Sequence, residues 1–214
     1  MHRQNILAIG LLVLVSLAIL TVGYATGRGP LGLLSYSVNR LSSGNGGHGS
    51  SGAVIPASKS SLAPEFAPGT WINSEPLSLQ SLRGRVVVVE FWTFGCYNCR
   101  NTLPSVKQWD ARYRDKGLTI VGVHSPEFDD EKQLENVRRE VASLGIKFPV
   151  VTDNDYATWR AYDIEAWPTI LVLDKTGRIR WRHVGEGAYD ETEQLIQELL
   201  AEHAKPDDRP GHGE

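Results

Sequence analysis

Cys96 and Cys99 are the only cysteines in the 214-residue sequence, and just Tyr97 and Asn98 separate them. Two thiols at this spacing suit thiol–disulfide exchange, in which one thiolate attacks a disulfide sulfur and the second thiol resolves the mixed disulfide. The pair follows Val86-Val87-Val88-Val89-Glu90-Phe91-Trp92, a β-branched run that reads as a strand buried on both faces. The residues after it read as a helix. Unpaired N–H groups and the macrodipole at a helix N-terminus favour a thiolate at Cys96, and a three-residue offset sets Cys99 one turn on. Cys96 is therefore the expected attacking sulfur and Cys99 the resolving one. An inert buried pair is the plain alternative. Half of a zinc site is another, and it would need two further ligands.

Glu90 precedes Cys96 by six residues on the apolar strand. A carboxyl buried there has its pKa raised and can exchange a proton with the resolving thiol near neutrality. A glutamate facing solvent at a strand edge would do neither. Trp92 is expected to line the site, and Tyr97 and Asn98 to lie where a client must approach. No metal ligand set is assigned, and the Cys96–Cys99 disulfide is the only redox group expected, with no further cofactor.

These residues need a scaffold. Trp71-Ile72 and Leu77-x-Leu79 around Ser74-Glu75-Pro76 read as an N-terminal β-hairpin. A helix from Cys99 to about Lys116 carries Leu103, Val106 and Tyr113 on one face, is expected to kink at Pro104, and stops at Gly117. Leu118–His124 reads as a second buried strand. Asp129 or Asp130 then caps a helix bearing Leu134, Val137, Val141 and Leu144, which Gly145 ends. Phe148–Val151 is a short strand, and Asp155–Tyr162 makes one or two helical turns. Thr169–Leu173 and Ile179–Val184 form a hairpin around Asp174-Lys175-Thr176-Gly177. Asp190-x-x-Glu193 resembles a capping box for a last helix burying Leu195, Ile196, Leu199 and Leu200. Strand–helix alternation followed by a hairpin predicts an α/β fold with a mixed central sheet flanked by helices.

The ends differ from this domain. Ile6 to Gly23 is an uncharged apolar run of about 18 residues, longer than the ~7–15 of a signal-peptide core and close to the ~20 of a spanning helix. Residues 1–25 are thus expected to be a membrane anchor, or else a cleaved signal peptide, and both place the domain outside the cytoplasm. Residues 26–62, with the tract SSGNGGHGSSG from Ser42 to Gly52, read as a flexible linker. The domain is expected over 63–204, with a polar tail over 205–214. A net charge of −3 gives no electrostatic basis for nucleic-acid binding.

Glu90-Phe91-Trp92 followed by Cys96-x-x-Cys99, Pro104, and Trp167-Pro168-Thr169 before a strand resemble the thioredoxin superfamily. The lead-in Leu82-Arg83-Gly84-Arg85-Val86 is similar to its membrane-tethered TlpA-like branch. The stretches FWTFGCYNCRNTLP, GVHSPEF, DNDYATW and VGEGAYDE are most similar to the thioredoxin domains of DipZ-type proteins. The resemblance covers about residues 63–203. It implies a thioredoxin fold, thiol–disulfide oxidoreductase activity on extracytoplasmic protein clients, and an upstream redox partner. It also implies the reducing direction, as in cytochrome c maturation. Pro168 would be cis, with the backbone before it pairing with the bound client; a trans proline merely starting a strand is the plain alternative. Trp167 stands where smaller residues are commoner, which suggests that it narrows the client groove or stacks on a client residue.

Two other chemistries have partial support. Thr93-x-x-Cys96 matches part of the Thr-x-x-Cys signature of peroxiredoxins, although Val89 stands where that signature has proline. His124 would join the cysteines in a copper-delivering thioredoxin fold, although such proteins use a longer cysteine spacing.

Overall fold

The computed structural model describes residues 52–202. The apolar segment, the linker up to residue 51 and the tail from residue 203 lie outside the described residues. Among the described residues no helix is long and apolar enough to cross a membrane.

Seven strands form one mixed sheet: β1 (Ala53–Val54), β2 (Trp71–Ile72), β3 (Val86–Trp92), β4 (Leu118–His124), β5 (Val150–Thr152), β6 (Thr169–Leu173) and β7 (Ile179–Val184). Their spatial order is β1-β7-β6-β3-β4-β5-β2. β3 is parallel to β4, and β4 to β5, whereas β6 pairs antiparallel with both β3 and β7. Every residue of β3 and β6 is buried. Buried strands of this kind read as continuous apolar runs because neither face meets water.

Among the described residues the four α-helices are α1 (Tyr97–Tyr113), α2 (Leu134–Ser143), α3 (Ala157–Ala161) and α4 (Tyr189–Ala201). Period-2 alternation splits β3 between two cores. Val86, Val88 and Trp92 pack with Cys99, Leu103 and Val106 of α1, Val137 and Val141 of α2, and Leu195, Ile196 and Leu199 of α4. Val87, Val89 and Phe91 pack on the other face with Leu79, Leu82, Tyr162 and Ile164. Glu90 follows the first set, so its carboxyl enters the core that also holds Cys99.

Four expectations need correction. The N-terminal hairpin does not form: β2 pairs antiparallel with β5, and Leu77–Leu79 lies outside any strand. The Glu65 carboxylate instead accepts from the backbone N–H groups of Leu79 and Gln80, holding that segment as a turn. The paired chain also begins earlier than residue 63. Ala53 and Val54 extend the sheet on β7, and Leu62 bridges Arg178, so the end of the expected linker is part of the sheet edge. Asp129–Lys132 forms a separate 3-10 turn, and α2 starts after Gln133. The capping box at Asp190 and Glu193 is absent, because the N-cap of α4 is Ala188, two residues before Asp190, and Glu193 accepts from Tyr113 Oη at 2.6 Å and Arg112 at 2.8 Å. α1 runs as one helix through Pro104.

Candidate active site

β3 ends at Trp92, and Thr93-Phe94-Gly95 carries the chain to α1. Cys96 is the N-cap of α1 in extended conformation, and its Sγ accepts from the Cys99 N–H at 3.2 Å. The two cysteines are disulfide-bonded, with Cα atoms 5.3 Å apart. Cys96 is half-buried, whereas Cys99 is fully buried. An incoming sulfur therefore meets Cys96 first.

The Glu90 carboxyl is fully buried, and among the described residues no group hydrogen-bonds either oxygen. Burial without compensation pushes its pKa up to about 8. It is therefore mostly protonated at neutral pH and close to the range in which thiols titrate.

Trp167-Pro168 is a cis peptide. The antiparallel register Phe91↔Thr169 places Pro168 at the end of β3 from which the cysteine loop departs. Its carbonyl accepts from Gly185 N at 2.7 Å, so the β6–β7 hairpin fixes this corner. Trp167 is half-buried. Tyr97 is 76% exposed and Asn98 is exposed, open to a client. Trp92 is different from expectation. It is completely buried, edge-on to His124 at 5.3 Å and close against Gly122, so it supports the site from beneath and presents no surface to a client.

His124 is also buried. Its Nε2 lies 3.3 Å from Thr93 Oγ1, and its ring stacks on Phe94 with centroids 5.6 Å apart. Burial lowers its pKa to about 4, with the Glu131 charge opposing that shift. A neutral imidazole in this slot packs the cysteine loop against β4. Thr93 is occupied by the same contact. Among the described residues no cluster of three metal-binding side chains occurs.

Glu131 has no counterpart in the sequence reading. It is 1% exposed, and its carboxylate accepts from the N–H groups of Gly95 at 2.9 Å, Glu127 at 2.5 Å and Phe128 at 3.1 Å. In the sequence it directly follows Asp129 and Asp130, the expected helix caps, and falls in the first turn after them. Gly95 gives the one faint signal, since a Cβ there would overlap the Glu131 carboxylate.

The sequence pattern of the Redoxin family matches residues 57–198. The chain belongs to the Redoxin family. It is 44% identical over 139 residues to Protein DipZ of Mycobacterium tuberculosis, covering 64% of this chain and 20% of DipZ. The chain thus spans about one fifth of the length of that relative. It is 29% identical over 132 residues to the thiol-disulfide oxidoreductase YkuV of Bacillus subtilis, covering 62% of this chain and 88% of YkuV. The crystal structure of a thiol-disulfide isomerase from Corynebacterium glutamicum superposes with a TM-score of 0.60 at 31% identity, over 66% of this chain and 98% of that one. This redoxin therefore has the thioredoxin fold, with the disulfide at the start of α1 and the cis-proline at the start of β6.

Proposed function

We propose that this redoxin is a thiol–disulfide oxidoreductase acting on protein clients outside the cytoplasm. The observation that carries the proposal is the Cys96–Cys99 disulfide at the N-terminus of α1, delivered by the strand that buries the unpartnered Glu90 carboxyl. In the reducing direction the Cys96 thiolate attacks one sulfur of a client disulfide. A Cys96–client bond forms, the client S–S bond breaks, and the expelled client sulfur takes a proton from solvent. Cys99 then gives its proton to the ionised fraction of Glu90 and attacks the Cys96 sulfur. The Cys96–Cys99 bond forms, the second client sulfur leaves and is protonated, and two electrons with two protons have passed to the client. Trp167 and Pro168 would hold the client main chain, with Tyr97 and Asn98 along its path.

The disulfide is the only redox group this reading requires. An upstream dithiol donor restores the reduced pair. The reducing direction and a place in cytochrome c maturation rest on the likeness of the cysteine stretch and its lead-in to TlpA-like proteins. The extracytoplasmic, membrane-anchored location rests on the apolar run from Ile6 to Gly23 and on the similarity to DipZ.

Trapping tests the mechanism. Cys99→Ser leaves the mixed disulfide unresolved, so it is expected to accumulate client adducts at Cys96 while losing insulin reduction. Unaltered exchange with no adduct would overturn it.

A further inference from the structure

The peptide unit joining Phe94 to Gly95 is held at both ends. Its carbonyl oxygen, on Phe94, accepts from Arg100 Nε at 2.8 Å. Its N–H, on Gly95, donates to Glu131 Oε1 at 2.9 Å. A guanidinium and a carboxylate thus grip opposite ends of the peptide one unit before the one that joins Gly95 to Cys96. Charge-assisted bonds of this kind are about twice as strong as neutral ones, and together they fix the peptide plane.

The two charges are not equivalent. Arg100 is half-exposed and also meets Glu140 at 3.4 Å. Glu131 is buried, and its three hydrogen-bond donors are all backbone N–H groups, from Gly95, Glu127 and Phe128. Among the described residues no cation lies within ion-pair distance of it. Its charge is therefore solvated by amides and not cancelled by a counter-ion. One carboxylate also ties the cysteine loop to the segment carrying Phe128, which is 57% exposed. The steric fit is close, since Gly95 leaves no room for a Cβ beside Oε1.

We propose that Glu131 and Arg100 are paired positioning residues: they fix the peptide that aims Cys96 at the α1 N-terminus, and they bias the acidity of its thiol in opposite senses. The carboxylate disfavours a neighbouring thiolate and the guanidinium favours it. The inference rests on Cys96 being the attacking thiol. Other charged or titratable groups around the loop include Glu90 of β3, Tyr97 of α1, His124 of β4, Glu127, Asp129, Asp130 and Lys132 of the Glu131 segment, Glu140 of α2, Tyr156 before α3, and Glu186, which accepts from Asn101 of α1. None of them is substituted in the variants below, although Arg100→Gln removes the partner of Glu140.

The test is the pH profile of Cys96 alkylation by iodoacetamide in the full-length reduced protein, with Cys99→Ser leaving a single thiol. Glu131→Gln is expected to lower the midpoint by about half a pH unit, about threefold more thiolate below the midpoint, and Arg100→Gln to raise it by a similar amount. The Gly95 amide is expected to exchange slowly in the parent and at least about tenfold faster in Glu131→Gln. A purely structural clamp would loosen the same loop in both variants and move both midpoints the same way. Shifts of one sign, or no shift, would overturn the proposal. Should Glu131→Gln not fold, Arg100→Gln decides alone, and an unmoved or lowered midpoint overturns the proposal. Alkylation needs no client, so failure of the parent protein to reduce insulin would count against the proposed function and leave this test readable.

Discussion

The indole rings of Trp159 and Trp167 meet with centroids 4.5 Å apart and planes tilted by 44°. Trp159 also stands edge-on to Phe91 of β3 at 6.1 Å and to Tyr156 at 5.9 Å. The residue before the cis-proline is thereby seated on an aromatic stack that reaches down to the central strand. Each such pair contributes about 0.5–1.5 kcal/mol beyond the area it buries. A seated Trp167 offers a client a fixed apolar face, where a small residue would leave an open groove.

Trp167→Val is accordingly expected to change which clients are preferred while leaving reduction of a small, unhindered disulfide unchanged. Competition between two disulfide peptides, one with an aromatic residue beside its cysteine and one with glycine there, measures this. The aromatic peptide should lose its advantage by a few-fold, as expected for one lost stacking contact. An unchanged ratio would remove Trp167 from client recognition.

Glu90 makes a prediction about stability. Its folded pKa of about 8 lies above the ordinary 4.5, so between these values the folded protein holds a proton that the unfolded chain has released. The stability linked to this group is fully present below about pH 4.5 and is lost as pH rises through about 8. The span corresponds to about 3–5 kcal/mol. Urea unfolding of the oxidised protein at pH 5 and pH 8 should therefore show a fall in stability that Glu90→Gln largely removes. Equal slopes in both proteins would mean that Glu90 ionises as an exposed carboxyl does. The same substitution should flatten the pH dependence of disulfide exchange if Glu90 carries the proton of Cys99.

His124 has the opposite sign. Its pKa is lowered from 6.5 to about 4, so the stability linked to the neutral ring is present above about pH 6.5 and is lost as pH falls through about 4. His124→Gln keeps a polar group facing Thr93 Oγ1 and cannot take the charge. The difference in unfolding free energy between parent and variant should shrink by about 2–3 kcal/mol between pH 7 and pH 4. A difference independent of pH would show that the imidazole titrates freely.

The parts of the site that were legible in the sequence are those whose causes are local. Four valines before Glu90 announce a buried strand, and the Cys-x-x-Cys spacing announces a helix start. Trp167-Pro168 is legible because its order relative to that pair is a family pattern. What the sequence hid depends on distant partners. Trp71-Ile72 looks like half of a hairpin, yet its partner is Val150-Val151, far along the chain. Glu193 fits a capping box until Tyr113 and Arg112 draw its carboxylate across to α1. Glu131 looks like a first-turn acid after the expected helix caps, and only the Gly95 N–H, 36 residues away, makes it part of the site. Trp92 differs from expectation for a related reason: strand alternation gives its face, and only the packing of α1 and Phe148 over that face shows it to be closed off from solvent.

Asp153 connects the aromatic stack to the cysteine side of the sheet. It is 4% exposed, and its carboxylate accepts from Thr158 N at 2.9 Å, Trp159 N at 2.8 Å and Ser125 Oγ at 3.2 Å. Two of these donors start α3, and the third belongs to the residue after His124. Removing the acceptor leaves buried donors unsatisfied, which costs about 1–3 kcal/mol for each that water cannot reach. Asp153→Ala is thus expected to lower stability by about 2–4 kcal/mol in urea unfolding. It should also free the first turn of α3 and, through Trp159, the seat of Trp167. Asp153→Asn retains one acceptor oxygen and should recover part of both effects. The discriminating measurement is the aromatic-to-glycine peptide ratio used for Trp167. If Asp153→Ala weakens the fold but leaves that ratio at the parent value, the Trp159–Trp167 contact does not govern client choice. If the ratio falls toward that of Trp167→Val, the buried carboxylate acts on recognition through the stack.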